Sequence, residues 1–219
     1  PIELVSCETI DIDVPAAAEI VIEGRIDPDR EVTEAPFGEV AGCYSSQNND
    51  VPAIEVTGIM HRDDPIYHTI LTGFPPTENN FMQWVPRSAV VKQDAERAVP
   101  AVDQAVVKCG PYGGNGVYEA VVSIDKRLDG EPWNVITSVL GGRCQAKFCT
   151  VVDGDIDVYD EAQVNWALNT RVQPDDDVKT FPRMAGGPLD PSGGHRQSQK
   201  MGIDATKPLD DDQAKYEQI

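Results

Sequence analysis

Two glutamates lie five residues apart in the segment EAPFGE, which runs from Glu34 to Glu39. An odd spacing puts two side chains on opposite faces of a regular strand, but the proline and glycine between them allow a turn toward one cavity. Paired carboxylates at one site can divide their roles, one staying ionised as an anchor while the other acts as a general acid. The competing interpretation, in a chain with 37 acidic residues, is two solvated loop glutamates.

A second acidic group, made of Asp153, Asp155 and Asp157, follows an apolar segment that is typical of a buried strand. Carboxylate oxygens suit a divalent cation, and α/β proteins bind ligands at the carboxyl ends of their parallel strands. An exposed acidic loop that caps a helix beginning at Asp160 explains the same pattern. The sequence leaves both interpretations open.

Three further segments could bind ions through backbone N–H groups or through side chains. The glycine run 113–116 lacks the spacing of a phosphate loop and is followed by a strand pattern, which indicates a flexible connection. Residues 192–200 combine glycines with cationic side chains, which suits either a phosphate site or a solvated tail. Residues 61–64 read as a surface salt-bridge group.

The composition excludes several classes of function. With 18 Lys and Arg against 37 Asp and Glu, the 219-residue chain has a net charge of −19, which argues against general binding to nucleic acid or anionic membrane surfaces. No apolar run approaches the roughly 18 residues of a membrane span. Five cysteines without a Cys-x-x-Cys pair indicate reduced thiols and a cytoplasmic protein.

The predicted secondary structure that positions these side chains changes along the chain from strands to helices. The first 75 residues predict short strands with turn residues between them, as in a small barrel or sandwich. A helical pattern follows over residues 81–99. The predicted strands of this first region are residues 10–14, 19–23, 37–44, 53–60 and 67–72.

From about residue 101, strand and helix patterns alternate, which predicts an α/β region with a largely parallel sheet. The strands are expected at residues 105–109, 117–124 and 147–152, and the helices at 132–140 and 160–171. The segment from Gly186 onward, rich in Gly, Pro, Ser and Asp, is predicted to be a loop or a mobile end. The expected division is therefore 1–80, 81–185 and 186–219.

Taken together, these segments resemble the UbiD-type decarboxylase family over about residues 8–207, and their order and spacing make the match specific. The matching stretches are Val14–Gly24, Glu34–Glu39, His61–Tyr67, Gly73–Pro76, Val151–Val158, Trp166–Arg171 and Lys200–Thr206.

The resemblance implies a reversible, non-oxidative decarboxylase or carboxylase of aromatic, heteroaromatic or α,β-unsaturated acids. Such enzymes use prenylated FMN, supplied by a flavin prenyltransferase, together with Mn²⁺ and K⁺. The implied fold class is α+β or α/β, with a flavin-reductase-like split β-barrel for the cofactor followed by an α/β oligomerisation domain. A homo-oligomer that takes a small carboxylic acid is therefore expected.

The resemblance also implies roles for individual residues. Glu39 matches the family's proton donor, and Glu34 matches the partner that pairs with a catalytic arginine. Lys200 matches the lysine that contacts the flavin cofactor, and Gln83 aligns with a helix that lines the substrate pocket. Ala35 stands where the family usually has glycine, and no metal ligand is expected within this chain.

The family's metal ligands, phosphate-side loop and catalytic arginine all precede the region that matches this chain. The sequence therefore predicts the C-terminal portion of such an enzyme, active only with an N-terminal half or companion subunit that holds Mn²⁺ and K⁺. One alternative is a non-catalytic assembly subunit of a multi-subunit carboxylase. Another is a plain FMN oxidoreductase on a similar barrel.

Overall fold

The structure is a computed structural model that describes residues 2–109, 118–193 and 197–217. The glycine run 113–116 and the pair His195 and Arg196 lie outside the described residues. The chain divides into two compact units. The first comprises Pro1–Phe37 and Tyr44–Ile70, and the second comprises Gly38–Cys43 and Leu71–Ile219.

The first unit contains two antiparallel strand pairs. Strand β1 (Leu4–Ser6) pairs with β2 (Asp13–Pro15), and the long strand β3 (Ile20–Glu34) pairs with β4 (Asn48–His61). β-Branched residues, among them Ile20, Val21 and Ile22 in β3, favour this extended hairpin. Its register places Ile22 opposite Ile59 and Ile26 opposite Ile54.

Ile22 and Ile26 are four residues apart in β3 and so point to one side of the hairpin. Ile59 and Ile54, which are paired with them, point to that same side. Each of the four is 60–62% exposed. The hairpin thus presents an apolar patch, which we call the isoleucine face and define as Ile22, Ile26, Ile54 and Ile59.

Three strand predictions for the first region need correction. Residues 37–44 form a turn rather than a strand, since Gly42 adopts a φ of +79° that a strand does not contain. Residues 67–72 join no strand. The segment 10–14 is extended only from Asp13, where pairing with β1 begins.

The second unit is built on one mixed five-stranded sheet. The strand order is β5-β6-β7-β9-β8, with parallel pairing of β6 with β7 and of β7 with β9, and antiparallel pairing at both edges. The predicted parallel sheet is therefore right only at its centre. The strands are β5 (Val102–Val107), β6 (Glu119–Ile124), β7 (Phe148–Asp153), β8 (Val178–Ala185) and β9 (Gln197–Ala205).

Helices cover both faces of this sheet, which explains why β6 and β7 are apolar without alternation. Val122 and Val151 lie in a cluster with the first two helices, whereas Val121 and Val152 pack on the opposite face with the third helix. The helices are α1 (Glu78–Ala98), α2 (Glu131–Gly141), α3 (Glu161–Arg171) and the single turn α4 (Pro174–Asp177). The three helices predicted from the sequence are confirmed.

The prediction of a loop or mobile end after Gly186 is wrong for residues 197–205. They form β9, which lies between β7 and β8 in the sheet. The strand is polar in sequence, yet Ser198, Lys200 and Asp204 are buried because neighbours flank it on both sides. Its Gly202 leaves room for the side chain of Ile136 in α2.

Candidate active site

Glu39 lies in a tight turn formed by residues 38–43, within the second unit. Its backbone N–H donates to the carbonyl of Cys43 at 2.9 Å, and the N–H of Gly42 donates back to the carbonyl of Glu39 at 2.9 Å. A Cβ on Gly42 would lie 2.8 Å from Pro75 Cδ. The positive φ of this residue and the close proline together require glycine.

Two side chains hold the backbone of this turn, one on each side of Glu39. Thr72 Oγ1 donates to the carbonyl of Gly38 at 2.5 Å, and Asn80 Nδ2 donates to the carbonyl of Val40 at 3.1 Å. Val40 is 6% exposed and packs into the core. The main chain around Glu39 is therefore fixed to the second unit.

The carboxyl group of Glu39 itself is not engaged. Glu39 is half-buried, and among the described residues its side chain has no hydrogen bond or ion pair. Tyr118 is within electrostatic reach. Burial raises the pKa of Tyr118, the negative charges of Asp190 and Glu39 raise it further, and the Arg87 guanidinium opposes them. The Glu39 carboxyl group therefore has no protein partner in the described chain that would compete with a ligand.

Glu34 is the last residue of β3, is exposed, and pairs in the strand register with Asn48. It belongs to the first unit, whereas Glu39 and Lys200 belong to the second. The predicted pairing of the two glutamates therefore remains a prediction. Within the described part of the second unit, no hydrogen bond or ion pair joins Glu39 to Lys200.

Lys200 lies in the interior of the second unit. Its side chain projects from β9, the residue is 3% exposed, and its Nζ donates to the carbonyl of Leu140 at 2.6 Å. Burial lowers the pKa of Lys200. Across the described ranges, no carboxylate lies within ion-pair distance of it. A buried cation with only a neutral partner is suited to an anionic ligand.

Gln83, expected in a pocket-lining helix, belongs to a row of polar side chains along α1. Gln83 Nε2 donates to Asn79 Oδ1 at 2.8 Å, and Arg87 Nη1 donates to Gln83 Oε1 at 3.3 Å. Arg87 Nη2 also donates to the carbonyl of Cys144 at 2.7 Å. The spacing of four residues puts the row on one helix face.

Sequence reasoning missed Asn80, Arg87 and Tyr118. Asn80 had a detectable signal, because it stands three residues after Thr77 at the start of a helix, the spacing of a capping box. Arg87 and Tyr118 have no such signal, since their position depends on how α1 and β6 pack.

The acidic group after β7 binds a cation of the protein itself. Arg171 Nη1 lies 2.8 Å from Asp153 Oδ2 and Arg171 Nη2 lies 2.9 Å from Asp155 Oδ2, while Lys207 Nζ lies 2.8 Å from Asp155. Asp160 caps α3 by accepting from two backbone N–H groups. In the ranges that the structure describes, no three His, Cys, Asp or Glu side chains are grouped to hold a metal ion.

The remaining candidates are engaged elsewhere. Arg62 pairs with Glu19 at 3.3 Å rather than with the neighbouring aspartates. Near the segment 192–200, Lys147 Nζ is occupied by Asp190 at 2.9 Å. All five cysteines are free thiols, and burial raises the pKa of Cys149 to about 12. Within the described ranges, no helix is long and apolar enough to cross a membrane.

Two family models match the chain. The Rift-related domain of 3-octaprenyl-4-hydroxybenzoate carboxy-lyase, UbiD, matches residues 1–75. The C-terminal domain of the same carboxy-lyase matches residues 80–205.

Similar proteins include decarboxylases. Anhydromevalonate phosphate decarboxylase of Methanosarcina mazei is 37% identical over 210 residues, covering 95% of this chain and 48% of the relative. The UbiD-class enzyme HmfF of Pelotomaculum thermopropionicum, in complex with FMN, is 40% identical with a TM-score of 0.86, covering 100% of this chain and 48% of its own.

An evolved dimeric form of HmfF in complex with prFMN is 38% identical, with a TM-score of 0.77, and the match covers 97% of this chain and 45% of that one. The chain thus spans about half the length of the proteins it matches.

Proposed function

Because the chain belongs to the UbiD family of carboxy-lyases, we propose that it carries the proton donor of a prenylated-FMN-dependent decarboxylase or carboxylase. The substrate class is an aromatic, heteroaromatic or α,β-unsaturated carboxylic acid. The reaction is reversible and non-oxidative. It requires a companion that supplies the N-terminal half of the site.

The observation that carries this proposal is the state of Glu39. Its carboxyl group is half-buried and has no partner in the described chain, while the backbone at Gly38 and Val40 is held by Thr72 and Asn80. A fixed carboxyl group that the protein leaves unpaired can deliver a proton to the substrate carbon that loses carbon dioxide. Partial burial limits competition from water.

Glu34 is proposed as the network partner of this acid. It matches the family's first motif glutamate, and its exposed carboxylate at the end of β3 has no partner in the described residues. A guanidinium from the companion would satisfy it through a bidentate ion pair. Ala35 adds a methyl group beside Glu34, which narrows the conformations of the loop.

Lys200 is proposed to face the cofactor, which when bound would supply an electron sink for the bonding pair that carbon dioxide leaves on the substrate carbon. The fit is electrostatic. Lys200 is buried, and its Nζ bonds only the neutral carbonyl of Leu140, so two of its N–H groups remain for an anionic group such as a flavin phosphate. Solved relatives hold FMN and prFMN, which supports a flavin here.

The exposure of the isoleucine face is an argument for a companion that covers it. Four exposed isoleucines on one side of a two-stranded hairpin leave apolar area in water that further strands would cover. We propose that the companion completes a split barrel over this face and holds Mn²⁺ and K⁺ with its own residues. A homo-oligomer, a cytoplasmic location and cofactor supply by a flavin prenyltransferase complete the proposal.

The test replaces Glu39→Gln in the chain assembled with its companion and flavin. We expect the rate of carbon dioxide release to fall at least about 100-fold, because the amide cannot donate the proton. Deuterium incorporation into the product from D₂O should fall in parallel. Glu217→Gln, the same change at an exposed position, should leave both unaltered.

Other outcomes identify the alternatives. An unchanged rate in the Glu39→Gln assembly would assign the chain a non-catalytic assembly role. Oxidation of a nicotinamide by an assembly that holds ordinary FMN, without carbon dioxide release, would assign an oxidoreductase.

A further inference from the structure

We infer that Asn80 is a positioning residue for Glu39, setting the direction of its carboxyl group through the backbone of the turn. The inference rests on the proposed function, in which Glu39 is the proton donor. Asn80 touches no reacting atom in this scheme and acts only through the carbonyl of Val40.

The oxygen and the nitrogen of the Asn80 amide bind different parts of the second unit. Its oxygen faces the start of α1, where Oδ1 accepts from the backbone N–H and the hydroxyl of Thr77, each at 2.9 Å. Its nitrogen faces the turn and donates to the carbonyl of Val40 at 3.1 Å. The residue is 0% exposed, so water does not replace either bond.

The hydrogen bond from Asn80 to the carbonyl of Val40 can orient Glu39 because Val40 is its neighbour in the chain. Val40 follows Glu39 directly, and its carbonyl belongs to the next peptide unit, between Val40 and Ala41. The carbonyl of the unit between Glu39 and Val40 accepts from the N–H of Gly42. The bond from Asn80 therefore anchors the turn one peptide unit beyond Glu39, and rotation there swings the backbone that carries the Glu39 side chain. The opposite side of Glu39 is held by Thr72 through the carbonyl of Gly38. With the carbonyls of Gly38, Glu39 and Val40 all held, the turn keeps one orientation. A displacement of the Glu39 carboxyl group by about 1 Å is enough to cost about 100-fold in rate.

Asn80→Asp separates the two functions of the amide. The carboxylate retains acceptors for Thr77, so the start of α1 keeps its cap, but an oxygen now faces the carbonyl oxygen of Val40. We expect kcat of the holoenzyme to fall about 10- to 100-fold through misplacement of Glu39. KM and flavin content should change less than about twofold, because neither substrate nor cofactor is bound by Asn80.

Two matched variants control this experiment. Asn169→Asp removes the same kind of bond, from Nδ2 to the carbonyl of Asn165 at 2.7 Å, on an exposed surface of α3, and should leave kcat unaltered. Val135→Ala, a fully buried position of α2, should lower the melting temperature while leaving in place the hydrogen bonds from Thr72 and Asn80 to the turn. It shows how much kcat falls from lost stability alone.

Each outcome bears on the inference. A kcat of Asn80→Asp within about twofold of the wild type would overturn it, as would a loss no larger than that of Val135→Ala at matched stability. Joint loss of kcat and flavin would also overturn it, because that marks a structural role. If Glu39→Gln leaves the rate unchanged, the proposed function itself fails, which the Asn80 variants do not test.

Discussion

At the scale of the residue, Lys200 and Glu39 share a property that is costly in a folded protein. Lys200 is buried and Glu39 is half-buried, and neither has an opposite charge beside it among the described residues. A buried polar group that lacks compensation lowers stability and persists where function requires it. The cost is clearest for Lys200, which is nearly fully buried.

We expect Lys200→Met to raise, or at least not lower, the melting temperature of the cofactor-free chain. The same variant, assembled with its companion, should no longer retain flavin. The apolar side chain removes the desolvation cost of the cation and leaves the sheet intact. Differential scanning calorimetry and flavin absorbance measure the two effects. Lys126→Met is the control, since the buried amine of Lys126 is paired with Asp129 at 2.9 Å, and it should lower stability.

The lowered pKa of Lys200 also gives a pH dependence. The unfolded lysine titrates near its ordinary value of 10.5 and the folded one below it. The destabilising charge is therefore fully present below the folded pKa and is relieved as pH rises toward 10.5. Lys200→Met should lack this relief as pH rises toward the ordinary lysine pKa of 10.5, and an identical pH profile in both proteins would contradict the assignment.

Gly42 gives a second prediction at this scale. Gly42→Ala must place a methyl group at a φ of +79° and 2.8 Å from Pro75 Cδ. We expect a loss of about 1–2 kcal/mol in the free energy of unfolding. Urea denaturation measures it, with Gly130→Ala as control because a Cβ there meets nothing within 4 Å. Equal losses in both variants would show that the turn is not constrained.

At the scale of the element, Arg171 connects the end of α3 to the loop after β7. Burial acts to raise the pKa of Asp155, but hydrogen bonds from Arg171 and Lys207 outweigh it and hold this pKa below the ordinary range. Burial raises the pKa of Asp153, and the Lys207 amide and Arg171 offset it only in part. The pairs stabilise a loop that would otherwise repel itself.

Arg171→Met should lower the free energy of unfolding at pH 7 by about 3 kcal/mol, the low end for a broken buried pair. Asp153 loses its buried cation, whereas Asp155, which is 43% exposed, keeps Lys207. The contribution from Asp155 is present above its ordinary pKa and is lost as pH falls through its lower folded value. The deficit should therefore shrink below about pH 4. Chemical denaturation over a pH series measures this.

Lys92→Met provides the matched control for Arg171→Met. Lys92 and Glu96 form an exposed pair at 4.0 Å on α1, and its loss should cost less than about 1 kcal/mol. A deficit in Arg171→Met that persists unchanged at low pH would mean that lost packing, rather than charge, explains it.

At the scale of the whole molecule, net charge and apolar surface act in opposite directions. A net charge of −19 keeps chains apart, whereas the isoleucine face favours association. Exposed apolar area on an open hairpin is an aggregation hazard unless another element covers it. This balance is consistent with a surface that the proposed companion covers.

We expect the double variant Ile22→Lys and Ile59→Lys to keep the isolated chain soluble at higher concentration and to abolish pairing with the N-terminal companion. Charges on paired positions of one face repel each other and resist burial. Sedimentation and co-purification measure the two effects. Leu128→Lys, which is also exposed but lies outside that face, should change neither, and retained pairing in the double variant would contradict the proposed interface.

Some of this protein follows from the sequence alone. The helices α1, α2 and α3 and the strands β5, β6 and β7 have patterns that span enough residues to define their period. The order of motifs from Glu34 to Lys200 identified the family, which the family models confirm. Periodicity is a local property, and the order of motifs is a property of the chain as written. Both can therefore be recognised in a single sequence.

Tertiary structure alone decided the rest. Strand β9 is polar in sequence and became central only because β7 and β8 hydrogen-bond to it on both sides. The turn at Glu39 depends on Thr72 and Asn80, which are distant in sequence from the carbonyl groups that they hold. Buried hydrogen bonds between distant segments leave no period in the sequence, because the free energy that selects them exists only after the chain has packed.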